Sequence, residues 1–278
     1  MRIMHTESRY IDNCSFLKMY TINKYKLVTL KNPVRVAGYE SEKKSLYDVE
    51  NKYSRNKNEE KLDNSISRSK SKIYEYAICN DFEYFVTLTL DKEKMDRSNI
   101  SEYIKKLGQY IRDIKKSTGQ KIEYILIPEK HADGENWHMH GLMKGLKDLR
   151  EYNANENIPK KMKDKIKKYR EENLYLYEWP GYSKRFGFNC VEPIRDKDAC
   201  AKYITKYISK NLDNDKGVTE KNKKKYYCSR GLKKAKNIKK GVIQTKDIGY
   251  DFENEHCKIK WLNMCQADEI EKLFLKTL

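Results

Sequence analysis

The chain contains no Cys-x-x-Cys pair. Its seven cysteines, Cys14, Cys79, Cys190, Cys200, Cys228, Cys257 and Cys265, are odd in number, which argues against both a zinc knuckle and a disulfide framework. No stretch approaches the roughly 20 apolar residues of a membrane span, and the N-terminus has no apolar run of signal-peptide length, so a cytoplasmic location is expected. An anionic membrane surface would suit the charge described below, but neither a clear amphipathic basic helix nor a lipid anchor is evident. There is no internal repeat, and no Gly/Ser linker forces a domain boundary.

Charge is present in excess. Lys+Arg number 59 against 41 Asp+Glu, leaving +18 and a sequence pI near 9.3. Such a surface attracts polyanions, and nucleic acid is the usual one, because each neutralised phosphate releases counterions and adds affinity. The 22 tyrosines can serve as core residues, as stacking platforms for unpaired bases or as a nucleophile.

Composition and periodicity suggest three parts: a polar basic extension over 1–72, a core over 73–212 and a basic region over 213–278 that packs on or extends the core. The extension has a weak strand-like patch at Tyr25–Leu30 and turns helical over Ser65–Asn80. Glu83–Leu90, reading EYFVTLTL, has the length and composition of a buried strand. A helix follows, capped by Ser98 or Asn99, running to about Lys116 and ending before Gly119. Lys121–Pro128 and Trp137–Met143 read as a hairpin joined by a turn at Ala132–Glu135. Pro159–Asn173 reads as a solvated helix, Phe186–Ile194 as a strand, Asp196–Asn211 as a helix and Gln266–Leu275 as a last helix. Between these, Lys221–Lys240 is strongly basic around a short strand at Tyr226-Tyr227-Cys228, and Arg230, Lys233 and Lys234 are its expected DNA contacts.

Two constellations carry chemistry. In Trp137-His138-Met139-His140-Gly141, strand alternation puts both imidazoles on one face and Met139 on the other. With five histidines in 278 residues, chance yields an H-x-H about 0.09 times. Glu129 closes the preceding strand, and a hairpin brings its carboxylate alongside the pair. Two imidazoles and one carboxylate suit Mg²⁺ or Mn²⁺ better than a four-ligand structural zinc site. The second constellation is Tyr203-Ile204-Thr205-Lys206-Tyr207-Ile208-Ser209-Lys210. A spacing of four places Tyr203 near Tyr207 and Lys206 near Lys210 on a helix. A phenol needs a neighbouring cation or lysine to act as a nucleophile, and this octet supplies lysines. Read alone, it is equally an amphipathic helix with Ile204 and Ile208 inward.

FVTLTL, the His138/His140 pair preceded by Glu129, and the Tyr203/Tyr207 helix stand in the order and rough spacing of three motifs, so that Phe82–Lys210 resembles the HUH replication endonucleases. The Y-x-x-K-Y-x-x-K frame is most similar to the two-tyrosine rolling-circle initiators of small single-stranded DNA phages and related plasmids. The resemblance implies an α+β fold, with a central antiparallel sheet of about five strands flanked by helices. It also implies that the histidine strand faces the tyrosine helix across a metal. His138, His140 and Glu129 would hold Mg²⁺ or Mn²⁺, Tyr203 and Tyr207 would be nucleophiles, and Lys206 or Lys210 would steady phosphate charge. Thr87 and Thr89 would belong to the first motif, as structural residues with a possible DNA contact.

The implied reaction cuts single-stranded DNA at a replication origin through a 5′-phosphotyrosyl link and frees a 3′-OH primer. The chain lacks a G-x-x-x-x-G-K-[ST] phosphate loop, so a separate host helicase and a host polymerase are the expected partners. A relaxase or transposase would share the chemistry, with the tyrosine doublet favouring replication. A basic nucleic-acid-binding protein without catalysis is the reading from another class, and a metal-dependent hydrolase would need more His and Asp ligands than the chain offers.

Overall fold

Burial along Tyr84–Thr89 alternates with a period of two: Val86 and Leu88 are buried while Phe85, Thr87 and Thr89 turn to the opposite face. The computed structural model describes residues 8–11, 14–31, 34–37, 56–131, 133, 135–156, 158–213, 224–243, 248–254 and 257–275, with the backbone alone at 8–11, 34–37, 56–64 and 209–213. In chain order the elements are β1 (Ser8–Ile11), β2 (Ser15–Thr21), β3 (Lys24–Leu30), β4 (Val34–Ala37), α1 (Asn56–Cys79), β5 (Tyr84–Thr89), α2 (Ile100–Thr118), β6 (Glu123–Lys130) and β7 (Trp137–Lys144). There follow β8 (Arg150–Glu151), α3 (Lys160–Glu171), β9 (Tyr177–Glu178), α4 (Pro180–Arg185), β10 (Asn189–Pro193), α5 (Lys197–Asp213), β11 (Tyr227–Cys228), β12 (Lys236–Gly241), β13 (Phe252–Glu253), β14 (Cys257–Leu262) and α6 (Met264–Lys272). The protein is α+β, with antiparallel sheets of seven and five strands and six helices among the described residues.

Contacts divide the chain into Arg55–Lys233 and a second unit formed by Met1–Ser54 with Lys234–Leu278; composition suggested breaks at 72/73 and 212/213. In Arg55–Lys233 the sheet order is β11-β6-β7-β5-β10-β9-β8. The sheet exceeds the expected five strands because β8, β9 and β11, each two residues long, extend its edges. β7 lies between β6 and β5, with Glu129 opposite His138 and Thr87 opposite His140.

One face of this sheet is covered by α2. Tyr103, Leu107 and Ile111, four residues apart, form its buried stripe and pack with Val86, Leu88, Leu126, Met139 and Met143. The helix starts where the Asn99 side chain accepts the Glu102 N–H at 3.0 Å. It ends at Gly119, whose φ of 71° lets its N–H reach the Lys115 carbonyl. The opposite face carries α5, which lies against β6 and β7, with α1 packed on α5. α3, expected to be solvated, buries Met162 and Ile166 with Cys190 of β10, because these two apolar residues sit one turn apart.

In the second unit the order is β12-β2-β3-β14-β13. Leu17, Tyr25, Leu27 and Leu262 pack against Ala267 and Ile270 of α6 and against Phe274. The Asn263 and Gln266 side chains cap α6 reciprocally. The expected strand patch Tyr25–Leu30 thus sits inside a sheet built from both ends of the chain. All seven cysteines are free thiols.

The glycine of His138-Met139-His140-Gly141 has a steric cause. A Cβ there would run into the Ile125 carbonyl oxygen and the Leu126 side chain on the neighbouring strand. Gly141→Ala is therefore expected to force β6 and β7 apart and lower the melting temperature by at least about 4 °C, the shift of a ~1 kcal/mol loss in a small domain. An unchanged calorimetric transition would show that the strands accommodate the methyl group.

Candidate metal centre and tyrosine helix

Glu129 ends β6, and the two-residue period of β7 turns His138 and His140 to the same side of the sheet. One carboxylate oxygen, Glu129 Oε2, lies 3.0 Å from His138 Nε2 and 2.9 Å from His140 Nε2. Among the described residues, these three are the group whose ligand atoms all lie within 4.8 Å of one another. Donors at right angles around an ion held at about 2.1 Å stand about 3 Å apart, so the spacing and the N/N/O donor set fit one divalent cation. Burial pushes the Glu129 carboxyl up, but the bonds from both imidazoles outweigh it and hold the group well below the usual carboxylate range.

Neighbouring side chains orient the ring pair. The other nitrogen of His140, Nδ1, lies 3.2 Å from the Thr87 hydroxyl, which leaves Nε2 directed at Glu129. This is the outer partner that a liganding imidazole requires. His138 Nδ1 is buried with no hydrogen-bond partner among the described residues, and so is Nε2 of His131, whose ring centroid lies 4.4 Å away. Burial, together with His138 and Arg97, pushes His131 down. Thr89 shares the Thr87 face and lies opposite His138.

α5 crosses this face. Ala201, Ile204 and Ile208 are buried, while Tyr203 is 45% exposed and Tyr207 only 5%. The Tyr207 ring stacks on His140 with centroids 4.1 Å apart and planes within 17°. Its hydroxyl donates to the Tyr203 hydroxyl at 2.9 Å. Burial, then the bond to Tyr203, drives the Tyr207 phenol far above its ordinary range, so nothing in the protein alone ionises it. Phe85 of β5 completes the cluster, 5.6 Å from Tyr203 and 6.3 Å from Tyr207.

A cleft opens beside these rings, lined by Phe85, Thr87, His140, Tyr203 and Tyr207 on one side and by α3 on the other. Lys161, Lys165, Arg195, Lys202 and Lys206 line it against the carboxylates of Glu192 and Asp196. The structure thus brings together Glu129, His138, His140, Thr87, Tyr203, Tyr207 and Lys206. The Lys210 side chain lies outside the described residues. Arg230, Lys233 and Lys234 are exposed and do not line the cleft; the Lys233 backbone is tied to Asn80 at the end of α1. Sequence reading missed Phe85 and His131, although strand alternation from Thr87 and from Glu129 points to both.

An antiparallel sheet bearing an imidazole–carboxylate cluster against a two-tyrosine helix defines a protein equipped for metal-assisted chemistry beside a basic cleft. Residues 83–212 match the family model described as Replication-associated protein ORF2. The match covers just under half of the chain and contains every residue of the cluster, supporting a replication-initiator role and DNA as partner. No curated protein and no solved structure matches the chain. No helix among the described residues is long and apolar enough to cross a membrane.

Thr87→Val keeps the side-chain shape and removes the hydroxyl at His140. Mn²⁺ affinity, read by electron paramagnetic resonance titration, is expected to fall roughly 10- to 100-fold. Wild-type affinity in this variant would show that Thr87 does not orient the ring.

Proposed function

We propose that the protein initiates rolling-circle replication by cutting one DNA strand at an origin, with Tyr203 and Tyr207 as nucleophiles and Glu129, His138 and His140 holding Mg²⁺ or Mn²⁺. The observation that carries this reading is the stack of Tyr207 on His140 while the same imidazole meets Glu129. A phenol pair and a cation-binding set are within one side chain of each other, which suits a phosphodiester held between them.

A divalent cation bound there supplies Lewis-acid polarisation of a phosphoryl oxygen. The chain's own groups do the rest. Lys206 and Lys202 bring positive charge to the strand in the cleft, and Phe85 and the exposed ring of Tyr203 offer faces to unpaired bases. Attack by a tyrosine oxygen forms an O–P bond and breaks the bond from phosphorus to O3′. The 3′ oxygen leaves and takes up a proton, and the 5′ phosphate stays on the tyrosine. The Tyr207 proton has a path through the Tyr203 hydroxyl, 2.9 Å away. With one tyrosine occupied by the covalent strand, the second remains to cut again and rejoin. The released 3′-OH primes a host polymerase on a template that a host helicase opens.

Incubation with Mn²⁺ and a randomised library of labelled single strands is expected to give an adduct that survives denaturing electrophoresis. Peptide mapping should place the DNA on Tyr203 or Tyr207. Tyr203→Phe or Tyr207→Phe alone should lower the yield at least about tenfold, and the double substitution should abolish it while binding persists. An adduct retained by the double variant would contradict the assignment.

A further inference from the structure

The five-stranded sheet of Met1–Ser54 with Lys234–Leu278 has one face on α6 and one facing away from it. Leu17, Tyr25, Leu27 and Leu262 belong to the α6 side, so strand alternation puts Phe16, Lys18, Lys26, Val28 and Trp261 on the other. Two cross-strand rows run over that side. In one, Lys240 lies opposite Phe16, Phe16 opposite Val28, Val28 opposite Ile259, and Ile259 opposite Phe252. In the other, Lys18 lies opposite Lys26 and Lys26 opposite Trp261.

The chemistry of this face is aromatic rings set among ammonium groups. Lys24 and Lys26 each place Nζ 5.1 Å from the Trp261 ring centre, Tyr20 meets the same ring edge-on at 5.7 Å, and Lys240 Nζ lies 5.4 Å from the Phe16 ring. The rings are half exposed, and Phe252 is 52% exposed. None of the residues in β2, β3, β12 or β14 is acidic. Burial, and the like charge of Lys18, hold the Lys26 ammonium below the usual lysine range, a strain that an anion between them relieves.

We propose that this face binds single-stranded DNA, stacking bases on Trp261, Phe16 and Phe252 and pairing phosphates with Lys18, Lys24, Lys26 and Lys240. Ring faces at strand spacing suit unpaired bases, whose π-faces are free, and not a duplex, whose bases are stacked on one another. Lysines between the rings match a backbone that carries a charge at every nucleotide. The face would give the protein a grip on the displaced strand carried by a different unit from the tyrosine cleft. It stands on its own residues and does not require that the cleft cuts DNA.

Full-length Tyr203→Phe/Tyr207→Phe protein in EDTA isolates this binding from the chemistry at the cleft. Trp137 and Trp179 are buried, so Trp261 is the tryptophan placed to report stacking. Oligo(dT) is expected to quench tryptophan fluorescence, and the quench should vanish in Trp261→Phe. Trp261→Ala should weaken binding roughly 5- to 100-fold by anisotropy. Lys18→Gln/Lys26→Gln, which leaves the rings intact, should flatten the log affinity against log salt slope by about 0.7 per lysine. The proposal is overturned if the quench survives Trp261→Phe, if affinity and salt slope are unchanged in the lysine variant, or if a duplex of the same length binds as tightly.

Discussion

One carboxylate oxygen shared by two imidazoles organises the Arg55–Lys233 unit. For Glu129 Oε2 to lie 3.0 Å from His138 and 2.9 Å from His140, β7 must keep its two-residue period and hold its register with β6. That register depends on Gly141, whose missing side chain lets the strands approach at the Ile125 carbonyl. It depends equally on Met139 and Met143, which anchor the other face of β7 on α2. A slip by one residue would bury the imidazoles in the apolar layer and turn the methionines to the cleft. The β5 strand adds Thr87 behind His140 and Phe85 beside the tyrosines from the same alternation. Fold and site are therefore one constraint.

The tyrosine helix meets this cluster through a ring stack instead of a hydrogen bond to the histidines. Tyr207 lies flat on His140, out of water, while Tyr203 stands nearly half exposed at the cleft. The two phenols share a hydrogen bond but not an environment. Burial raises the proton affinity of Tyr207, so an added positive charge does most for the phenol that needs it most.

Much of this was legible because the signals are local. β-branched alternation marks β5, an Asn99 cap and a Gly119 stop bracket α2, and H-x-H on a strand can only place both rings on one face. The second unit was harder to read. In β2 and β3 a lysine occupies positions between Leu17, Met19, Tyr25 and Leu27, so average polarity hides a period of two that leaves one face apolar. Its partner strands β12 and β14 lie more than 200 residues away in sequence, beyond any pattern read along the chain. Edge strands of two residues, such as β8 and β9, leave no periodic trace at all. His131 went unread because its neighbour, His138, is brought to it only by the hairpin.

The central claim is that Glu129, His138 and His140 share one cation beside the two phenols. Crystals grown with Mn²⁺ and measured at a wavelength where manganese scatters anomalously test it directly. The account predicts a single strong peak about 2.1 Å from His138 Nε2, His140 Nε2 and a Glu129 oxygen, on the side facing Tyr203 and Tyr207. A peak bound by other side chains, or none at these three with Mn²⁺ at saturating concentration, would contradict it.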